Sequence, residues 1–422
     1  MKQLIRHRIQ PIQARVLIPG SKSMTNRAML LAALADGVSE ITGILVSDDT
    51  LAFAQALHEL GVRVHLDQAN CACIITGNAG RFTKKSTVIW CAESGITARF
   101  LLAVCASSAG VYHFDGNEVL CNRPIATLLE VLRRQGIETD PSDVKQMPLT
   151  LIGVDGLAGG EIEIDGSESG QFISALLIAA PMARVTMDIT TKNVVSNPFV
   201  EMTAAMMAEF GVLVRRLPQG RFIVPVPQKY KARHYQVEPD LSTASYFFAA
   251  AAVTAGQVTI QPVNLNLSKQ GDAAFLKILA KMGCEIISTT TALTVKGAVE
   301  LRGVNVDMRD YSDTFMTLAA IAPFAKSPTT ITNIAHTRRQ ESDRITAMRN
   351  GLEKLGVKVE EGSDWIKIHP STPVAGTINS HHDHRIAMAF SIIGLRVAGI
   401  VIENSECVSK TCPQFFQLWE SL

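Results

Sequence analysis

Lys22, Arg27, Arg123, Arg344, Arg385 and Lys410 all fall at or beside short polar segments that border helix-forming runs. A helix start offers free backbone N–H groups and the positive end of the dipole, so a cation placed there completes a site for an anion. Guanidinium forks match the paired oxygens of carboxylate and phosphate. Taken singly, each of these residues reads as an ordinary solvated or salt-bridged charge. Their shared place in a repeating plan points instead to anion binding. Two carboxylates occupy comparable positions, Asp313 before Thr314-Phe315-Met316-Thr317 and Glu341 within Arg339-Gln340-Glu341-Ser342-Asp343-Arg344. Each could serve only as a helix cap. A carboxylate among cations favours its ionised form and can accept a hydroxyl proton, so the pattern fits acid–base chemistry on anionic substrates.

The plan that positions these residues is laid out in residues 19–50. Ser21-Lys22-Ser23-Met24-Thr25-Asn26-Arg27 precedes a run of strong helix formers, Gly37 ends that helix, and residues 38–42 alternate as a strand does. Ser47-Asp48-Asp49-Thr50 then caps a second helix that closes near Gly61. Comparable helix starts return at Glu93-Ser94-Gly95, Ser167-Glu168-Ser169-Gly170, Asp240-Leu241-Ser242, Asp310-Tyr311-Ser312-Asp313 and His382-Asp383-His384-Arg385. Glycines at 61, 136, 211, 283 and 356 close the second helix of successive copies. Six copies in one register predict a repeat-built α/β chain. The last copy runs out inside its second helix, so its missing strand should come from the segment before Pro19. Pro239 marks the seam between three copies and three. The expected division is residues 18–238 as an N-terminal domain and residues 1–17 with 239–422 as a C-terminal domain, joined by a two-stranded hinge.

At 422 residues there is room for two domains with large cores. A net charge of +1 gives no whole-chain argument for nucleic acid or an anionic membrane. The longest apolar run, residues 246–255, is too short to span a bilayer, and a cytoplasmic location is expected. The eight cysteines form no paired C-x-x-C pattern. The three histidines within His381-His382-Asp383-His384 would point different ways at a helix start, so no metal is expected.

GSKSMTNRAMLLAALADG, SDDT, CNRPI, DGSESGQFISALL, SDTFMTLA, RRQESDRI, HDHRIAMAF and SKTCPQFF, taken in order, resemble the 5-enolpyruvylshikimate-3-phosphate (EPSP) synthases over essentially the whole chain. The resemblance implies the enolpyruvyl transferase fold, an inside-out α/β barrel of two similar domains, each of three βαβαββ repeats. It implies transfer of the enolpyruvyl group of phosphoenolpyruvate to the 5-hydroxyl of shikimate 3-phosphate, without a cofactor, and small-molecule substrates for what is expected to be a monomer. Residue by residue, it assigns Lys22, Ser23, Arg27, Ser169, Gln171, Ser196, Asp313 and Gln340 to shikimate 3-phosphate. It assigns Lys22, Gly95, Arg123, Gln171, Arg344, Arg385 and Lys410 to phosphoenolpyruvate. Asp313 becomes the base for the 5-hydroxyl, and Glu341, with Lys22, handles the methylene proton.

Several positions depart from the family pattern. Residues 92–97 read Ala-Glu-Ser-Gly-Ile-Thr where Gly-Asn-Ala-Gly-Thr-Ala is usual, Phe100 stands for a proline, Phe199 for a tyrosine, His336 for an asparagine and Gln340 for a lysine. Gln340 removes a positive charge that Arg338 or Arg339 is placed to restore. These differences leave open a related transferase acting on a modified cyclic alcohol. A uridine-sugar enolpyruvyl transferase would show a Lys-Asn pair where this chain has Lys22-Ser23. A repeat-built anion-binding scaffold without catalysis is the third reading.

Overall fold

The computed structural model describes all 422 residues. Six helices carry the repeating plan: Lys22–Leu34, Gly95–Ala106, Gly170–Ala179, Leu241–Thr254, Phe315–Ile321 and His384–Arg396. Four of them are capped by the side chain the sequence supplies. Ser94 accepts from Thr97 N, Ser169 from Gln171 N, Asp240 from Ser242 N and Asp383 from Arg385 N. Each cap satisfies a donor that the helix itself leaves free. Every residue of Gly95–Ala106 and of Leu241–Thr254 is buried, as befits helices that form a core rather than border one.

Sheets cover these helices. Gly160–Asp165 pairs in parallel with Met187–Lys192 across the Gly170–Ala179 helix, with Ile162 opposite Ile189. Met187–Lys192 then pairs antiparallel with Arg221–Val224, which pairs antiparallel with Arg215–Leu217. Ser86–Trp90, Gly110–Asp115, Leu149–Gly153 and Glu138–Asp140 form a second sheet of the same order. Strands such as Gly160–Asp165 bury alternate residues, Ile162 and Ile164, and expose Glu161 and Glu163, so one face meets helices and the other water. The chain holds five four-stranded sheets of this kind and one three-stranded sheet. The glycines that close the second helices at 61, 136, 211, 283 and 356 share one left-handed conformation, φ between +79° and +108°, which reverses the chain into the next strand.

The segment before Pro19 supplies two strands. Lys2–Leu4 pairs antiparallel with Ile400–Glu403 and completes the last copy, while Gln13–Val16 opens the fourth copy in parallel with Gln257–Ile260. The opening strand of the first copy, His234–Gln236, comes from the far end of its own unit and pairs with Asp36–Thr42. With only Tyr235 buried, that three-residue strand has too little alternation to be read from sequence.

Two compact units result, one of Gly20–Val237 and one of Met1–Pro19 with Glu238–Leu422. Each has its own hydrophobic core: Met24 through Val237 supply one, Ile5 through Ile18 and Leu241 through Trp419 the other. No helix is long and apolar enough to cross a membrane.

Candidate active site

In the Gly20–Val237 unit, the candidate side chains lie where the core helices begin. Lys22 is the first residue of its helix, and its Nζ lies 3.4 Å from Asp49 Oδ2 on the Asp48–Glu59 helix. One turn on, Arg27 is buried, at 1% exposure. Its Nε donates to Thr203 Oγ1 (2.7 Å), Nη1 to the Ser23 carbonyl (3.0 Å) and Nη2 to the Phe199 carbonyl (3.3 Å). The Phe100 and Phe199 rings approach its guanidinium at 5.0 and 6.0 Å. All its hydrogen-bond partners are neutral, so burial pulls its pKa down to about 9. Thr203 Oγ1 also lies 3.0 Å from Ser174 Oγ, which ties Arg27 to a third helix.

Gly95 opens the next core helix, and Arg123 packs on it so closely that a Cβ at position 95 would lie 2.9 Å from Arg123 Nη1. Glu93 accepts from Asn117 Nδ2 at 2.6 Å. Ser169 caps the third helix, and Gln171 Oε1 accepts from Arg99 Nη1 at 2.8 Å. Ser196 stands just before the Asn197–Glu209 helix with φ of 53°. The structure therefore brings Lys22, Ser23 and Arg27 together on one helix, joins Arg27 to the residue-199 turn that follows Ser196, and sets Gly95 against Arg123.

The second unit holds a denser cluster. Arg344, 1% exposed, donates through Nε and Nη2 to Asp383 (2.8 and 3.2 Å), through Nη2 to Glu341 Oε2 (2.8 Å), and through Nη1 to Asp313 Oδ1 (3.4 Å) and Gln340 Oε1. Arg385 donates through Nη2 to Asp313 Oδ2 at 2.7 Å. Lys410 Nζ lies 3.4 Å from Glu341 Oε1. Burial works against both guanidinium charges, and the carboxylates more than offset it. Asp383, Glu341 and Asp313 hold the Arg344 pKa above the ordinary arginine value, and Asp313, Tyr246, Asp272 and Asp240 do the same for Arg385. Asp313, Glu341, Arg344, Arg385 and Lys410 are thus one connected array, fed by the starts of two core helices and two neighbouring turns.

Sequence reasoning missed several members. Asp49 and Asp383 were legible only as caps, yet Asp383 is fully buried and grips Arg344 while it caps the His384 helix. Arg99 and Thr203 carried no signal beyond their place in helical runs. Arg338, a candidate to restore the charge absent at Gln340, is committed to Asp343, Thr346 and the Gly362 and Ser363 carbonyls. His336 is largely buried, its Nε2 lies 2.7 Å from Ser312 Oγ, and burial lowers its pKa to about 4, so the ring is neutral near pH 7. His381 and His382 are exposed while His384 is buried, so the three rings do not converge.

The family model for EPSP synthase (3-phosphoshikimate 1-carboxyvinyltransferase) matches residues 7–419. A 3-phosphoshikimate 1-carboxyvinyltransferase from Nostoc sp. is 41% identical over 409 residues, 96% of each chain. One from Syntrophobacter fumaroxidans is 42% identical over 420 residues, 98% of each. Among solved structures, EPSP synthase from Acinetobacter baumannii superposes with a TM-score of 0.83 at 26% identity, over 100% of this chain and 97% of that one. The enolpyruvyl transferase NikO from Streptomyces tendae, 17% identical with a TM-score of 0.80, shares the fold.

Proposed function

The chain belongs to the EPSP synthase family, and on that premise we propose how its own residues carry out the reaction. The enzyme is a transferase of the shikimate pathway that moves the 1-carboxyvinyl (enolpyruvyl) group of phosphoenolpyruvate to shikimate 3-phosphate. The 5-hydroxyl oxygen attacks C2 of phosphoenolpyruvate while a proton is delivered to C3. From the tetrahedral adduct the C2–O bond to phosphate breaks and a C3 proton leaves, restoring the double bond and releasing inorganic phosphate.

Asp313 takes the hydroxyl proton, and the observation that carries this assignment is its position between Arg385 and Arg344, at 2.7 and 3.4 Å. A carboxylate gripped on both oxygens is fixed in direction, and orientation is much of what a general base contributes. Arg344, Arg385 and Lys410, with Arg123, Gly95 and Gln171, take the phosphoenolpyruvate anion. Arg344, Arg385 and Lys410 already carry carboxylate partners, so the substrate exchanges one set of charges for another rather than entering a bare cationic pocket. Glu341, between Lys410 and Arg344, handles the C3 proton with Lys22 as the other participant. Arg27, Lys22, Ser23, Ser169, Gln171, Ser196 and Gln340 serve shikimate 3-phosphate. An anion brought to Arg27 would supply the countercharge its neutral partners do not.

The two compact units act as the N-terminal and C-terminal domains, three repeats each. Eight free cysteines support a cytoplasmic enzyme, and a net charge of +1 supports one that binds no nucleic acid. Incubation with phosphoenolpyruvate and a panel of acceptors tests the reading. Phosphate should appear with shikimate 3-phosphate. Release only with a uridine sugar or another cyclic alcohol would refute it.

A further inference from the structure

A second carboxylate stands behind the proposed base. Asp272 is the second residue of the short turn Gly271–Ala274, which packs on the Leu241–Thr254 helix, and is 3% exposed. Its Oδ2 accepts from Ser242 Oγ, while its Oδ1 is buried without a hydrogen-bond partner. A carboxylate normally takes several donors when buried, so a single hydroxyl leaves most of its charge unsupported. The charged groups that act on it come from three elements: Asp240 at the start of the Leu241 helix, Asp313 from the turn before Phe315–Ile321, and Arg385 from the His384 helix, where Tyr246 of the Leu241 helix also meets Arg385. Lys269 and Glu238 flank its own turn, Cys412 lies by Asp240, and Arg344 and His336 lie beyond Asp313. Arg385 thus sits in the field of three carboxylates, Asp313, Asp272 and Asp240, and its Nη2 donates to Asp313. An ionised Asp272 would add a third negative charge around a guanidinium that must also meet an anionic substrate.

We propose that Asp272 is a positioning residue whose own protonation state sets how much positive charge Arg385 presents to phosphoenolpyruvate. The proposal rests on the reading of Arg385 as part of the phosphoenolpyruvate site. Held as the neutral acid, Asp272 keeps its proton on one oxygen and leaves Arg385 balanced against Asp313 and Asp240. On ionising, it weakens anion binding without touching the substrate. Burial, and after it the charge of Asp313, raises its pKa to about 7, which brings the change into the working range.

The test is the KM for phosphoenolpyruvate between pH 6 and pH 9, measured with saturating shikimate 3-phosphate on the wild type, Asp272→Asn and Ser242→Ala. One added negative charge in the field of Arg385 should raise the wild-type KM roughly tenfold across neutrality. Asp272→Asn, locked neutral, should hold the low KM across the range. Ser242→Ala removes the donor that favours the charged form and should move the inflection to higher pH. Infrared spectroscopy of the wild type should show a buried carboxylic-acid carbonyl band at pH 6 that fades by pH 9. That measurement stands even if Asp272→Asn fails to fold. Superimposable KM profiles in all enzymes that fold, or the absence of a titrating carboxyl band, would overturn the proposal while leaving the functional reading in place. A wild type that releases no phosphate from these two substrates would sink the reading, and the proposal with it.

Discussion

Arg27 is a buried cation whose hydrogen bonds all go to neutral oxygens, and burial weakens its hold on its proton. Such a group costs stability unless an anion arrives, and aromatic faces offset only part of the cost. Arg27→Met should therefore leave the protein as stable or up to about 1 kcal/mol more stable. The same change should raise the KM for shikimate 3-phosphate by roughly a hundredfold, since a charge-assisted bond to phosphate is lost. Calorimetric melting and steady-state kinetics on one sample separate the two effects, and a destabilised Arg27→Met would show that Arg27 is structural. Asp313→Ala acts elsewhere. Turnover should fall by about a hundredfold or more with little change in KM for shikimate 3-phosphate, because a base is lost and most anion contacts remain. Near-normal turnover would remove Asp313 from its role. The cations were legible in the sequence because a Lys or Arg at a repeated helix start is hard to explain otherwise. Asp49 and Asp383 were not, because an aspartate there is already explained as a cap. Only three-dimensional proximity shows that each also holds a cation.

Among the elements, the starts of the core helices carry the proposed site, and their local wiring sets pH dependence. The turn Ala335–Arg339 places His336 against Ser312, where burial lowers the imidazole pKa from 6.5 to about 4. The folded state thus binds fewer protons than the unfolded chain between those values. Stability is fully present above about pH 6.5 and is lost as pH falls toward 4, by on the order of 3 kcal/mol. His336→Asn should remove that share of the acid slope in urea titrations, and an unaltered slope would show that the ring is not buried as described. Asp272 works in the opposite sense. Its raised pKa gives stability that is present below about pH 4 and lost as pH rises toward 7. The repeat made the helices and their order readable, since cap, apolar run and closing glycine recur at fixed spacing. Strand partnership was less readable. His234–Gln236 has one buried residue, and nothing local says that it pairs with Asp36–Thr42 nearly two hundred residues earlier.

At the scale of the whole molecule, each unit has its own core, with Met24 through Val237 in one and no residue of that set in the other. The unit Gly20–Val237 is also one continuous stretch of chain. Expressed alone, it should unfold cooperatively and bind shikimate 3-phosphate weakly through Lys22, Ser23 and Arg27, yet show no turnover because Asp313, Glu341 and Arg385 are missing. Phosphate release by the fragment would mean that the second unit's carboxylates are not catalytic. The sequence foreshadowed copies grouped around Pro239, but only the separation of the two cores gives each group its own independent packing.

The central claim concerns which bond forms and which breaks, and an isotope decides it. Shikimate 3-phosphate carrying oxygen-18 at its 5-hydroxyl should be incubated with unlabelled phosphoenolpyruvate and the enzyme, and both products weighed by mass spectrometry. Attack of that hydroxyl on C2 predicts that the label stays in the enolpyruvyl ether and that the released phosphate carries none. Label in the phosphate, or phosphate release without a labelled ether, would contradict the account.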